Sequence, residues 1–317
     1  GQAVQEEDPN AIIWFEPASS IRMLTGPQRF WDQPLTRPQG IKQLVFAPHW
    51  YPDIYPLLGI NSNPREFNAD EWLYRDFIEP LREVMNESPT WLGNIPVVFG
   101  EFGTYFNLWA TGEEPSAEVS EDMGAHLLNS YYEAFEELGL GSMIWCFSKS
   151  NSSKYGEDWN HEDFSIIGPD GEPRGWPAYV RTYARATSGK LLYQRFVSQY
   201  EYWDPVAGKP RPSAHYDLHM DRRESDHPTE IFVPLKQYPQ GFYVTVTDGQ
   251  AFFDTDRQML YWYPSDDGPG LTHALHIEPW FEDREAPIWT YFFKEGEVLV
   301  GRPDPQLERV KRHMGGH

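Results

Sequence analysis

Short apolar runs that end on a charged or aromatic polar residue recur through the first half of the chain. Ala11-Ile-Ile-Trp-Phe15 closes on Glu16-Pro17, and Pro17 stops it. Lys42-Gln-Leu-Val-Phe-Ala47 runs into Pro48-His-Trp-Tyr-Pro52, and Val97-Val-Phe99 passes through Gly100 to Glu101. Gly141-Ser-Met-Ile-Trp-Cys-Phe147 is the fourth run. Each run predicts a strand, and Val97-Val-Phe99 one buried on both faces. Two segments of helical period lie between them. Leu73, Phe77, Leu81 and Met85 recur at steps of four behind Asp70 and Glu71, and Met123, Leu127, Tyr131 and Phe135 form a face in a helix that Ser120 opens and Gly139 stops. The order β, β, α, β, α, β predicts an α/β class with a parallel sheet and helical crossovers. In that class ligands meet the protein at the carboxyl ends of strands, where Glu16, His49 and Glu101 stand.

Ser148 to Pro177 reads as a long polar loop containing Asp158-Trp-Asn-His-Glu-Asp163, and Trp176 to Ala186 as a last helix. Beyond about residue 190 the pattern changes to short strands with Gly, Pro and Asp turns. They are Ile231-Phe-Val, Gly241 to Gly249, Gln258 to Tyr263, His273 to Ile277 and Val298 to Val300. Phe242, Val244 and Val246 alternate with Tyr243, Thr245 and Thr247, as in a half-exposed antiparallel strand. This predicts a small β-sandwich. The expected division is 1–189, 190–303 and a tail over 304–317.

Charge narrows the partners. A net charge of −22 disfavours nucleic acid and anionic membranes, which need a basic face. Cys146 is the one cysteine, so no disulfide framework and no thiolate metal site is expected. The histidines show no metal-ligand spacing beyond His313 and His317 in the tail, and no cofactor is expected. No apolar run approaches membrane-spanning length. Aromatic residues make up 16%, a surplus that stacking on sugar rings would use and that a large core could also absorb. Asn151-Ser-Ser is formally a glycosylation sequon, of a length that arises often by chance.

The ordered set His49-Trp-Tyr51, Phe99-Gly-Glu-Phe-Gly103 and Ile144-Trp-Cys-Phe147 resembles the ends of the sixth, seventh and eighth strands of family 5 glycoside hydrolases. Asp158-Trp-Asn-His-Glu-Asp-Phe-Ser165 and Val180 to Gly189 are similar to the endoglycoceramidase, glucosylceramidase and steryl-glucosidase branch. The resemblance implies strands five to eight of a (β/α)8 barrel followed by a β-sandwich. It implies a retaining β-glycosidase acting on a β-glucoside, glycolipid or oligosaccharide. It further implies Glu101 as nucleophile, the Tyr51 hydroxyl and His49 in its hydrogen-bond network, and Trp145 as a platform under the sugar next to the scissile bond. Asp158, Asn160, Glu162 and Asp163 are candidates for sugar hydroxyls, although a charge run is more often a solvated face.

A retaining glycosidase needs two carboxyl groups roughly 5 Å apart, one ionised and one protonated. The family's acid/base is a Glu in Asn-Glu-Pro at the fourth strand, and no Asn-Glu-Pro occurs here. Glu16-Pro17 comes closest but sits one strand before His49, so Glu16 is expected to line the cleft or pair with a cation. At roughly 30 residues per βα unit, a strand-seven nucleophile would follow about 180 residues. The chain has 100 before Glu101. The expectation is therefore that strands one to four, with the acid/base, lie outside this chain. An inactive protein that binds carbohydrate is the second reading. The compartment stays open, with secretion favoured.

Overall fold

A computed structural model describes residues 1–16, 36–51, 78–79, 81–82, 85, 91–104, 106, 117–148, 158–159, 162–198, 203–204, 209–210, 214–222, 225–265, 271–280, 290–294 and 300–301. Asp70, Glu71, Leu73, Phe77, Asn151 and Asn160 lie outside them. So does most of the expected 71–85 helix, of which Ile78, Glu79, Leu81, Arg82 and Met85 are described and helical. The chain divides into two compact units, Gly1–Trp176 and Pro177–His317.

In the first unit a short helix α1 (Gln2–Glu7) precedes strand β1 (Ile13–Phe15), which pairs in parallel with β2 (Leu44–Phe46). Strand β3 (Val98–Phe102) joins β2 through the parallel bridges Phe46 to Val97 and His49 to Glu101. Helix α2 (Ala117–Leu138) then crosses over to β4 (Gly141–Ile144), parallel to β3. Four strands thus run parallel in chain order, and among the described residues β1 and β4 are each paired on one side only. The interior strand β2 is buried at all three positions, but Trp14 on β1 and Met143 on β4 are exposed, because nothing described covers the second face of these outer strands.

Gly139 ends α2. Its φ of 64° suits a residue without Cβ, its N–H donates to Glu136 O, and the Leu140 N–H donates back to Phe135 O. These two bonds form a Schellman cap. The helix packs an aromatic face on β3: Phe99 and Phe135 rings stack at 5.1 Å, Phe102 meets Phe135 edge-on at 4.9 Å, and Tyr131 meets Trp50 edge-on at 5.3 Å. Each such pair adds about 0.5–1.5 kcal/mol beyond area burial. Much of the aromatic surplus is therefore core.

Between β4 and Trp176, two-residue strands β5 (Asp158–Trp159) and β6 (Glu162–Asp163) form an antiparallel pair. Arg174 anchors the segment with a bidentate pair to Asp163 at 2.6 and 2.7 Å and a bond from its Nε to Ser165 O at 3.1 Å. Its guanidinium also lies 4.5 Å from the centre of the Phe106 ring.

Among its described residues the second unit has strands and no helix: β7 (Tyr183–Ala186), β8 (Leu191–Val197), β9 (Trp203–Asp204), β10 (Lys209–Pro210), β11 (His215–Asp221), β12 (Thr229–Phe232), β13 (Phe242–Val246), β14 (Gln250–Asp254), β15 (Met259–Tyr263), β16 (Thr272–Pro279), β17 (Tyr291–Phe293) and β18 (Val300–Gly301). They form a six-stranded antiparallel sheet, β18-β17-β13-β16-β11-β8, and a four-stranded one, β14-β15-β12-β7, with β9 and β10 paired separately. One apolar cluster draws on both sheets, including Phe196, Leu218, Val244 and Ile277 from the larger and Ile231, Leu260 and Trp262 from the smaller.

Residues 183–186 are a strand where the sequence predicts a helix. Ala184 packs on the core while Tyr183 and Arg185 turn outward, and pairing with β12 overrides the local preference. Strand β13 also differs from expectation, being buried on both faces because it lies inside its sheet with the Tyr243 and Phe292 rings 4.9 Å apart on the second face.

The far face of the larger sheet carries a titratable row. Register places Asp217 between Arg195 and His276, and His276 Nδ1 lies 2.7 Å from Asp217 Oδ1. Burial lowers the His215 pKa from its ordinary 6.5, and His276 beside it and Arg195 lower it further against the opposite pull of Asp217 and Glu278. Burial by itself would raise Asp217, but the His276 hydrogen bond and the fields of His276, His215 and His219 hold its carboxyl below the ordinary 3.8. Both shifts act in one direction. Below pH 6.5 the unfolded chain takes up a proton at residue 215 that the folded chain resists, and the Asp217 contribution goes as pH falls through its lowered value. The urea midpoint of the second unit is expected to fall between pH 7 and pH 5, and His215→Gln to flatten that step. A midpoint rising on acidification contradicts the sign.

Candidate active site

The site sits at the carboxyl ends of β1, β2 and β3. A register shift between Phe99 and Phe102 places two residues of β3, Gly100 and Glu101, against one of β4, so both phenylalanines face α2, each fully buried. Such a bulge re-aims the residues inside it. The Glu101 carboxylate lies on the side of His49 and Tyr51, three-quarters buried.

Backbone bonds hold the strand ends in line. Gly100 N–H donates to Pro48 O at 2.9 Å and Trp50 N–H to Glu101 O at 3.0 Å. The Tyr51 hydroxyl then donates to Glu101 Oε1 at 2.5 Å, and His49 Nδ1 lies 3.3 Å from Glu101 Oε2. Both carboxylate oxygens are engaged. The same His49 nitrogen lies 3.3 Å from Glu16 Oε1, so one imidazole nitrogen bridges carboxylates from two strands. One ring proton cannot serve both fully, which ties the Glu16 and Glu101 orientations together.

Trp145 stands just past β4, beside β3; the residue is 41% exposed, and its backbone N–H donates to Phe102 O at 2.7 Å. Gly103 makes this approach possible, since a Cβ there would lie 2.0 Å from Trp145 O. Phe164 packs edge-on against the Tyr51 ring at 5.5 Å.

Of the candidates read from sequence, the structure brings Glu101, His49, Tyr51 and Glu16 into one cluster and sets Trp145 at the next strand end. Asp163 is paired with Arg174. Asp158 is described as backbone in β5, and Asn160 lies outside the described residues. Sequence reasoning missed the Glu16 to His49 contact, the role of Gly103 and the packing of Phe164 on Tyr51. The Phe-Gly-Glu-Phe-Gly spacing was the available signal for the glycine. Among the described residues no group of three or more His, Cys, Asp or Glu side chains is placed to hold a metal ion. Nor is any described helix long and apolar enough to cross a membrane.

Comparison with known proteins finds a matching family model and several relatives. Residues 181–277 match the glycoside hydrolase family 5 C-terminal domain. The matched stretch spans β7 to β15 and most of β16 of the second unit. The chain is 32% identical over 96 residues to the ergosteryl-beta-glucosidase of Saccharomyces cerevisiae, covering 29% of this chain and 12% of that protein. It is 23% identical over 292 residues to a glucosylceramidase of Cryptococcus neoformans, covering 78% of this chain and 37% of that protein. The crystal structure of Cryptococcus neoformans sterylglucosidase 1 superposes with a TM-score of 0.65 at 15% identity, over 87% of this chain and 43% of that one. The chain thus spans less than half the length of these relatives. The structural likeness is one of fold, and the four parallel strands of the first unit are consistent with part of a (β/α)8 barrel.

Proposed function

We propose that this chain supplies strands five to eight, and the following β-sandwich, of a retaining family 5 β-glycosidase, with Glu101 as nucleophile. The observation that carries the reading is the 2.5 Å bond from the Tyr51 hydroxyl to Glu101 Oε1, with His49 on the other oxygen. A hydroxyl donor on one oxygen and an imidazole nitrogen beside the other fix the direction of the carboxylate. Glu101 attacks the anomeric carbon, the bond to the leaving oxygen breaks as that oxygen takes a proton, and a glycosyl ester forms on the carboxylate. Water, deprotonated by the group that served as acid, then displaces the enzyme and restores the original configuration.

The acid/base comes from residues outside this chain, because no Asn-Glu-Pro occurs in it. His49 is a positioning residue that holds Glu101 against Glu16. Trp145 forms the platform under the reacting sugar, where its half-open indole offers a ring face. Asp158 and Asn160 remain candidates for sugar hydroxyls. The substrate in this reading is a β-glucoside of a sterol or a ceramide, which the names of the two relatives support.

The test is hydrolysis of a steryl β-glucoside and of glucosylceramide by a protein that contains this chain. Tyr51→Phe is expected to lower kcat roughly 10- to 100-fold, the worth of a hydrogen bond to a charged group, with a smaller change in KM. Full activity in Tyr51→Phe, or activity confined to non-glycosidic esters, contradicts the reading.

A further inference from the structure

The second unit presents a face that the proposed hydrolysis does not use. Strands β14, β15, β12 and β7 turn Ala251, Leu260, Trp262, Ile231 and Ala184 to the core, and the alternate residues point away. Phe252, Tyr261, Tyr263, Phe232 and Tyr183 occupy that outer face, and Phe252 is 49% exposed, Tyr183 45% and Tyr263 42%. Single exposed aromatics are ordinary, but a contiguous set across paired strands marks a binding surface.

Ring geometry narrows the ligand. The Phe252 ring is nearly parallel to those of Tyr261 and Tyr263, at 22° and 17°, with centroids 5.0 and 6.0 Å apart. At a van der Waals plane separation of about 3.5 Å these distances require sideways offsets of roughly 3.5–5 Å. The rings therefore overlap like tiles, each leaving part of a face open. Tyr183 and Phe232 continue the stripe on the neighbouring strands, 5.7 Å apart.

Charge narrows it further. Arg185 pairs with Glu230 and Arg257 with Asp254, so the charges on this face cancel in a chain of net charge −22. No Leu, Ile or Val points outward from these four strands. A polyanion would be repelled by the net charge of the chain. Open ring faces bordered by planar polar side chains fit pyranose rings, whose C–H faces lie on aromatics while their hydroxyls reach Arg, Glu, Gln and Asp.

We propose that the outer face of the four-stranded sheet binds the sugar chain of an uncharged glycan, at a site separate from Glu101. Its occupancy does not depend on hydrolysis. The experiment is affinity electrophoresis of the chain through gels containing laminarin or hydroxyethyl cellulose, with co-sedimentation on phosphatidylcholine vesicles in parallel. The chain is expected to be retarded by at least one neutral glucan, Glu101→Gln equally so, and Phe252→Ala with Tyr263→Ala to bind about tenfold more weakly with an unchanged melting curve. Should the double variant melt early, Tyr263→Ser alone replaces it and is expected to weaken retention. Absence of retardation, retention undiminished in the variants, or ring-dependent binding to vesicles without retention by glucan overturns the proposal, the last in favour of a lipid-facing surface.

Discussion

Replacing Glu101 by Gln is expected to lower kcat by on the order of 10⁴-fold in any glycosidase that contains this chain, with KM changing far less. The amide keeps the size of the side chain and can still accept the Tyr51 hydroxyl bond, so folding is little disturbed. What goes is the negative oxygen that forms the glycosyl ester. Glu101→Ala separates this cause from a general disturbance. With space and no carboxylate, added azide is expected to attack the same face of the anomeric carbon and to give the glycosyl azide of inverted configuration. A loss of only a few-fold in Glu101→Gln would leave Glu101 as a positioning group and pass the chemistry to another carboxylate. Glu16 is then the first to test, since it reaches the same His49 nitrogen.

The second large effect is on stability. Asp248 is 4% exposed at the turn between β13 and β14. Its Oδ1 accepts from Ser265 N–H at 2.9 Å, and its Oδ2 lies 2.9 Å from both Thr247 Oγ1 and His273 Nδ1 and 3.4 Å from Arg222 Nη2. Its backbone oxygen accepts from the Trp262 indole at 2.8 Å. Removing one partner from such a network strands the others in a poorly solvated site, at a cost of about 3–5 kcal/mol. Asp248→Ala is therefore expected to lower the melting temperature of the second unit by roughly 10 °C. Asp248→Asn, which keeps the acceptor for Ser265, is expected to cost less. Equal melting temperatures for Asp248→Ala and the parent chain would mean that solvent reaches the site after truncation.

How much of this was legible beforehand follows from physical range. Parallel neighbouring strands bring their carboxyl ends side by side, so Glu16, His49, Tyr51 and Glu101 could be expected together from three short apolar runs. The bulge that turns Glu101 away from α2 could not, because it depends on how β3 pairs with β4 after helix packing has fixed Phe99 and Phe102. Strands β8 and β11 were passed over although His215-Tyr-Asp-Leu-His-Met-Asp221 alternates cleanly, its Tyr216, Leu218 and Met220 all buried. The polar side, rich in His and Asp, hid the period. Residues 183–186 misled in the other direction. Ala and Arg favour helix locally, and only the cross-strand partners on β12 decide otherwise.

The strand-end cluster and the aromatic face answer to different experiments, so either can fail alone. The central claim is that the Glu101 carboxylate forms a covalent bond with the sugar. A protein containing this chain should be incubated with an activated 2-deoxy-2-fluoro-β-glucoside and its proteolytic peptides mapped by mass spectrometry. The account predicts one fluoroglucosyl group on the peptide that carries Glu101, lost in Glu101→Gln; a label on Glu16 or elsewhere, or full hydrolytic activity without any label, would contradict it.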